Sequence, residues 1–262
     1  MKKLLAASVA LALFMPALVF AQSAFNGTWK LDPGTVHSTG GEATVISLKN
    51  GMYHCNCHPP VAVKADGEDH PVKGNKHVDT VAIKVVDDHT VQETEKKDGK
   101  VISTSTMTVA ADGKTAVNEF TDSDGADHAT GKVVLKRVAK GAPGSNALAG
   151  SWRLDHVESA SGNVFDPTFK IDGNSVTSSD AAGDAYTATI GGKAVPNMVN
   201  GKADGTVAVK RLGKNTLRET YAEDGKVTST STMTIAADGK SMKMVVHNMK
   251  NGRTTTMTHE KV

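Results

Sequence analysis

The chain has few aromatic side chains and only two cysteines. Phe, Trp and Tyr make up 4% of its 262 residues, so few rings are present to stack on bases or sugars. Two cysteines exclude a dense disulfide framework, so the fold must be stabilised mainly by burial of aliphatic side chains. The formal net charge of +2 provides no basic surface for nucleic acid.

Long apolar runs are also absent, except at the amino terminus. MKKLLAASVALALFMPALVFA joins two lysines to a short hydrophobic stretch that contains Pro16, and Val19-Phe20-Ala21 suits a signal peptidase. A membrane anchor would need about 20 apolar residues, more than this run supplies. We therefore predict a signal peptide over residues 1–21 and a periplasmic or secreted protein without stable membrane insertion.

The rest of the chain contains two copies of one unit. DGKVISTSTMTVAADGK from Asp98 and DGKVTSTSTMTIAADGK from Asp224 are identical at fifteen of seventeen positions, at an offset of 126. The openings FNGTWKLD and LAGSWRLD match at an offset of 123. Between the copies the chain consists mostly of small residues, contains Gly and is interrupted by a Pro, as in a linker. The predicted domains are residues 22–140 and 148–262, joined by a linker over 141–147.

Turn signals and composition predict a β-rich fold. Asp-Gly and Asn-Gly pairs recur in both units, and both dipeptides supply the positive φ that two-residue hairpin turns require. Between them lie short runs rich in β-branched residues, such as Val101 to Val109, that are typical of strands. A sheet of about seven or eight such strands per unit best avoids exposed edge strands by closing into a barrel. We predict an all-β protein of two tandem small antiparallel barrels, with a β-sandwich as the alternative.

Each unit opens with Gly-x-Trp-x-Leu, at Gly27 and Trp29 in the first copy and at Gly150 and Trp152 in the second. This opening is similar to the Gly-x-Trp that begins the first strand of lipocalins, where the Trp packs across the barrel floor. Together with the segments TVAIKVVDDHTVQET and DGKVISTSTMTVAADGK, it makes the whole chain after the signal peptide resemble largely uncharacterised exported bacterial proteins with tandem lipocalin-like domains. The resemblance implies a fold and a compartment but no activity. Whether or not the barrels are lipocalins, we expect these Gly and Trp residues to be structural.

The cluster His54-Cys55-Asn56-Cys57-His58 has no counterpart in the second copy, so the fold does not explain it. Three interpretations stay open. Cys55 and Cys57 form a disulfide, which export favours, although one intervening residue closes a small strained ring. Alternatively, both thiolates bind copper or zinc with His54 and His58, or the cysteines are incidental. On a continuous strand the cysteines and histidines point to opposite faces, so a metal site requires a loop or bulge.

No catalytic motif is evident. The sequence contains no Gly-rich phosphate loop after a strand, no His-Glu-x-x-His and no Gly-x-Ser-x-Gly, so we predict no enzyme and no catalytic residues. Strands lined with small Ser, Thr and Val leave room for a cavity, which favours a binding module for a small apolar ligand. The alternatives are a metal or redox role through Cys55 and Cys57, and a structural or stress-related protein of the cell envelope.

Overall fold

The computed structural model describes residues 23–57, 60–75, 77–123, 129–161 and 165–262. The predicted signal peptide and His58 lie outside these ranges. In the described ranges the protein is all-β, as predicted, and contains no helix, so no helix there could cross a membrane.

Each repeat contributes ten strands to the described structure, more than the seven or eight expected, because its first half contains several strands of only a few residues. The first repeat forms β1 (Gly27–Gly40), β2 (Thr44–Lys49), β3 (Met52–Cys55), β4 (Val61–Lys64), β5 (His70–Pro71), β6 (Thr80–Val85), β7 (Thr90–Lys97), β8 (Lys100–Val109), β9 (Thr115–Asp122) and β10 (Ala129–Lys140). The second forms β11 (Gly150–Ser161), β12 (Thr168–Asp172), β13 (Ser175–Ser179), β14 (Asp184–Thr189), β15 (Val195–Val199), β16 (Lys202–Gly213), β17 (Thr216–Glu223), β18 (Lys226–Ile235), β19 (Ser241–Asn248) and β20 (Arg253–Lys261).

The strands form two antiparallel sheets of ten strands each. The first has the order β4-β3-β2-β11-β10-β9-β8-β7-β6-β5, and the second is a closed barrel of β1 followed by β12 to β20. The first sheet is nearly closed, because the amide of Gly67 donates to the carbonyl of Ile83, 2.9 Å away, and Asp66 bridges to Lys84. The prediction of two barrels is therefore confirmed, and the sandwich alternative is wrong.

The sheets are out of phase with the sequence repeats by one strand. β1 opens the first repeat, yet it pairs with β20 and β12, and β11 opens the second repeat, yet it pairs with β10 and β2. Lys140 pairs directly with Gly150, so residues 141–149 connect two neighbouring strands of one sheet. The predicted linker 141–147 thus lies within the first barrel, and the sheet boundaries do not coincide with domains at 22–140 and 148–262.

Four hairpin turns use the dipeptides that the sequence marks. Asn50, Asp98, Asn200 and Asp224 have φ between 48° and 52°, and each is followed by a glycine with positive φ. A two-residue turn of this hand matches the twist of the flanking strands. These turns set the register of the strands that build the barrel interiors.

One tryptophan lies at the core of each barrel. Trp29 on β1 is fully buried in the second barrel, and Trp152 on β11 is 1% exposed in the first. Each indole N–H donates to a carbonyl four residues earlier, Phe25 at 2.8 Å and Leu148 at 2.9 Å. The Arg137 guanidinium stacks over Trp152 at 4.0 Å from the ring centroid. The preceding Gly27 and Gly150 have φ of 123° and 140°, a conformation that favours glycine.

Candidate functional site

The second barrel contains a cavity of about 280 Å³. Alternation along the strands directs both apolar and polar side chains into it. The apolar lining includes Phe165, Phe169, Met244, Val246 and Met257, and the polar lining includes Ser178, Tyr186, Glu219, Tyr221, Ser231 and His259. A pocket with an apolar wall and a few convergent polar groups is typical of small-molecule sites.

Glu219 on β17 is the central polar group of this cavity and is only 4% exposed. Its Oε1 accepts a hydrogen bond from the Tyr186 hydroxyl and its Oε2 accepts one from the Tyr221 hydroxyl at 3.1 Å. Burial raises the pKa of Glu219, while the two tyrosine donors oppose that rise. Burial and the neighbouring carboxylate together raise the pKa of both tyrosines, so both hydroxyls stay protonated donors.

Two buried polar atoms in the same cavity have no partner in the described structure, the Ser231 hydroxyl and Nδ1 of His259. Nε2 of His259 lies 3.1 Å from the Phe165 carbonyl, so Nε2 carries the proton and Nδ1 presents a lone pair. Burial lowers the pKa of His259, which keeps the ring neutral. A buried polar atom without a partner costs about 1–3 kcal/mol, so both atoms favour a guest molecule that bonds to them.

Acidic residues lie at one end of this cavity, where β13 turns into β14. The amide of Asp184 donates to Asp180 at 3.0 Å, and the Asn197 side-chain amide donates to Asp184 at 3.1 Å. Burial and the charge of Asp184 raise the pKa of Asp180 to about 6. This end of the barrel is therefore polar.

The first barrel holds a corresponding cavity of about 320 Å³. Its lining includes Ile46, Tyr53, Cys55, Cys57, Val91, Glu93, Ser105, Met107, Asn118, Leu135, Trp152 and Leu154, together with Arg253 from β20. At the repeat offset of 126, Glu93 corresponds to Glu219 and Ser105 to Ser231. Burial, with a further contribution from the charge of Glu95, raises the pKa of Glu93 to about 7.

The predicted cysteine cluster contributes to the wall of this first cavity. Cys55 and Cys57 are joined by a disulfide, with their Cα atoms 5.1 Å apart. His54 points to the exposed face of β3, away from the buried Cys55, and His58 lies outside the described residues. The structure thus brings the two sulfurs together without His54. Among the described residues no group of three or more His, Cys, Asp or Glu could hold a metal ion.

Removing this disulfide with the paired substitutions Cys55→Ala and Cys57→Ala is expected to lower the free energy of unfolding by only about 1–2 kcal/mol, because so short a loop restricts the unfolded chain little. Urea unfolding of the two proteins measures the difference. A loss above about 4 kcal/mol, near the upper end for disulfides, would mean that the bond holds the whole barrel together.

Of the residues that line the two cavities, the sequence patterns single out Cys55, Cys57 and Trp152 but not the inward polar groups. A signal was present in both repeats, because Glu93 shares a strand face with Val91, and Glu219 shares one with Leu217. A carboxylate at an inward position of a strand indicates a polar barrel interior.

Comparison with known protein families and with curated proteins finds no match for this chain.

Proposed function

We propose that the protein is an exported, non-catalytic binding module of tandem lipocalin-like barrels, and that its second barrel holds a small amphipathic molecule. The observation that carries this proposal is the pair of buried, unpartnered polar atoms on Ser231 and His259 inside a largely apolar cavity. The predicted signal peptide supports export.

The chemistry of the cavity favours an amphipathic guest over a purely apolar one. A hydrocarbon would leave the Ser231 hydroxyl and His259 Nδ1 unsatisfied, at a cost of about 1–3 kcal/mol for each atom. A hydroxyl group can accept a hydrogen bond from Ser231 or donate one to Nδ1 of His259, while the apolar body of the guest packs against Phe169 and Met244. Glu219 already accepts from two tyrosines, so it does not call for a cationic ligand.

Methionine methyl resonances can test this proposal, because Met244 and Met257 line the second cavity and Met107 lines the first. We expect 1-hexanol to shift the Met244 and Met257 resonances of the ¹³C-methyl-labelled protein in a saturable titration. Ser231→Val should weaken that binding about two- to tenfold, the value of one hydrogen bond between neutral groups.

The matched control is Ser105→Val, which makes the same change at the corresponding position of the first barrel. It should leave the Met244 and Met257 titration unchanged. If 1-hexanol does not move these two resonances, or binds Ser231→Val as tightly as the unaltered protein, the second barrel does not hold an amphipathic guest in this way.

A further inference from the structure

The corresponding carboxylates of the two barrels have different hydrogen-bond surroundings. Glu219 accepts from Tyr186 and Tyr221. In the first barrel Glu95 stands at the position that corresponds to Tyr221. Ser178, the strand partner of Tyr186, corresponds to Cys55 at the offset of 123. The strand partner of Cys55 is Val61, so Val61 stands at the position of Tyr186. Neither of these two positions therefore carries a tyrosine in the first barrel, and Tyr53, which lines the same cavity from β3, forms no hydrogen bond with Glu93 in the described structure. No described residue forms a hydrogen bond or an ion pair with the Glu93 carboxylate.

Glu93 nevertheless lines the first cavity, where it is partly buried. Val91, Glu93 and Glu95 share the inward face of β7, and Val91 is 4% exposed. Burial raises the pKa of both carboxyls, and the charge of Glu95 adds to the effect on Glu93. Each carboxyl is without a basic partner in the described structure, and a nearby cation would stabilise its ionised form.

A second residue independently points to a ligand that donates hydrogen bonds. The side-chain carbonyl oxygen of Asn118 is buried in the first cavity and has no partner among the described residues. Asn118 stands at the position of Met244 in the second barrel, so this acceptor is particular to the first. It lies on β9 opposite Met107. The first cavity therefore presents one buried acceptor without a partner, Asn118 Oδ1, and one partly buried carboxylate without a partner in the described structure, from two different strands.

We propose that the first barrel binds an organic ammonium ion, a primary amine on a small apolar body. The ammonium group donates to Glu93 and Asn118, and the body packs against Met107, Leu135 and Trp152. A cavity of about 320 Å³ falls within the usual range for small-molecule sites, about 300–1,000 Å³.

Arg253, the other charged residue that lines the cavity, also favours an ammonium group placed beside Glu93. Arg253 reaches the lining from β20 of the other barrel, and no ion pair joins it to Glu93 in the described structure. Its positive charge repels an ammonium group at its own end of the cavity and so favours placement of that group beside Glu93. An anionic ligand would instead sit near Arg253 and leave Glu93 and Asn118 unsatisfied.

The test titrates the full chain, labelled at the methionine methyl groups, with n-hexylammonium, and with hexanoate as the anion of the same length. We expect n-hexylammonium to shift the Met107 resonance and to bind at least tenfold more tightly than hexanoate. Glu93→Gln should weaken n-hexylammonium binding about tenfold or more, as expected when a charge-assisted hydrogen bond is lost. Asn118→Met, which installs the second-barrel residue, should weaken it by a smaller factor.

Glu119→Gln is the control, because it removes one negative charge from an exposed position next to Asn118 and should leave binding unchanged. Tighter binding of hexanoate at Met107, or unaltered binding in both Glu93→Gln and Asn118→Met, would overturn the proposal. So would n-hexylammonium shifts confined to Met244 and Met257. Those two resonances report the second barrel, so failure of this inference and failure of the proposed function are distinguishable.

Discussion

Trp29→Ala is expected to destabilise the second barrel by about 3–5 kcal/mol, the usual cost of truncating a buried aromatic residue. Trp29 belongs to the first sequence repeat, but its side chain packs with Phe169 and Leu217 of the second. Its indole N–H also bonds to the Phe25 carbonyl. In a urea titration followed through methionine methyl resonances, Met233 and Met242 should reach their unfolded positions at lower urea than in the unaltered protein.

The partner substitution Trp152→Ala serves as the matched control. Trp152 lies in the first barrel with Met107, so this variant should shift the unfolding of Met107 to lower urea. If Trp29→Ala instead destabilised the surroundings of Met107 and spared Met233, each repeat would fold on itself. The pairing of β1 with β12 and β20 would then be wrong.

The sequence could not predict that β1 joins strands of the second repeat and β11 joins strands of the first, because the two repeats open with nearly the same residues. FNGTWKLD and LAGSWRLD offer nearly the same side chains to a partner strand, so local pairing preferences are alike for β1 and β11. What differs is the connection, since residues 141–149 return β11 directly alongside β10. A short connection between consecutive strands favours antiparallel pairing of those strands. Because β11 is paired with β10 in the first sheet, the position beside β20 in the second sheet is left for β1.

The strand pattern could be predicted more fully than the direction of its faces. Between Val101 and Val109 neither set of alternate residues is strongly apolar, so the period alone does not identify the inward side. The structure explains this with a β-bulge. Glu95 pairs with Ser103 and Lys96 pairs with Val101, so Ile102 is an extra residue on β8. The alternation changes face there, because a bulge places two residues opposite one.

The same bulge recurs in the second repeat, where Tyr221 pairs with Ser229 and Ala222 with Val227, leaving Thr228 as the extra residue. The two repeats therefore share this β-bulge as well as the strands around it. The candidate sites diverged instead at single inward positions, such as Glu95 against Tyr221 and Asn118 against Met244. Comparison of the repeats could have found these pairs, but their inward direction became clear only from the register.

Removal of β1 is expected to have an all-or-none effect on the second barrel. A fragment of residues 165–262 keeps β12 to β20 but lacks the strand between β20 and β12, so two edges with unpaired backbone groups are exposed. We expect it to remain unfolded or aggregated by circular dichroism and size-exclusion chromatography. Residues 42–161 contain every strand of the first sheet and should fold alone as a monomer.

Adding a peptide of residues 23–41 to the fragment 165–262 should restore a folded complex, because β1 pairs with β20 at eight positions and inserts Trp29 into the core. The same peptide carrying Trp29→Ala retains the backbone donors but loses the core contacts, so it should complement poorly. Equal rescue by both peptides would mean that edge pairing alone closes the barrel. Folding of the fragment without either peptide would show that β1 is dispensable, and the first strand would then not be the element that closes the second barrel.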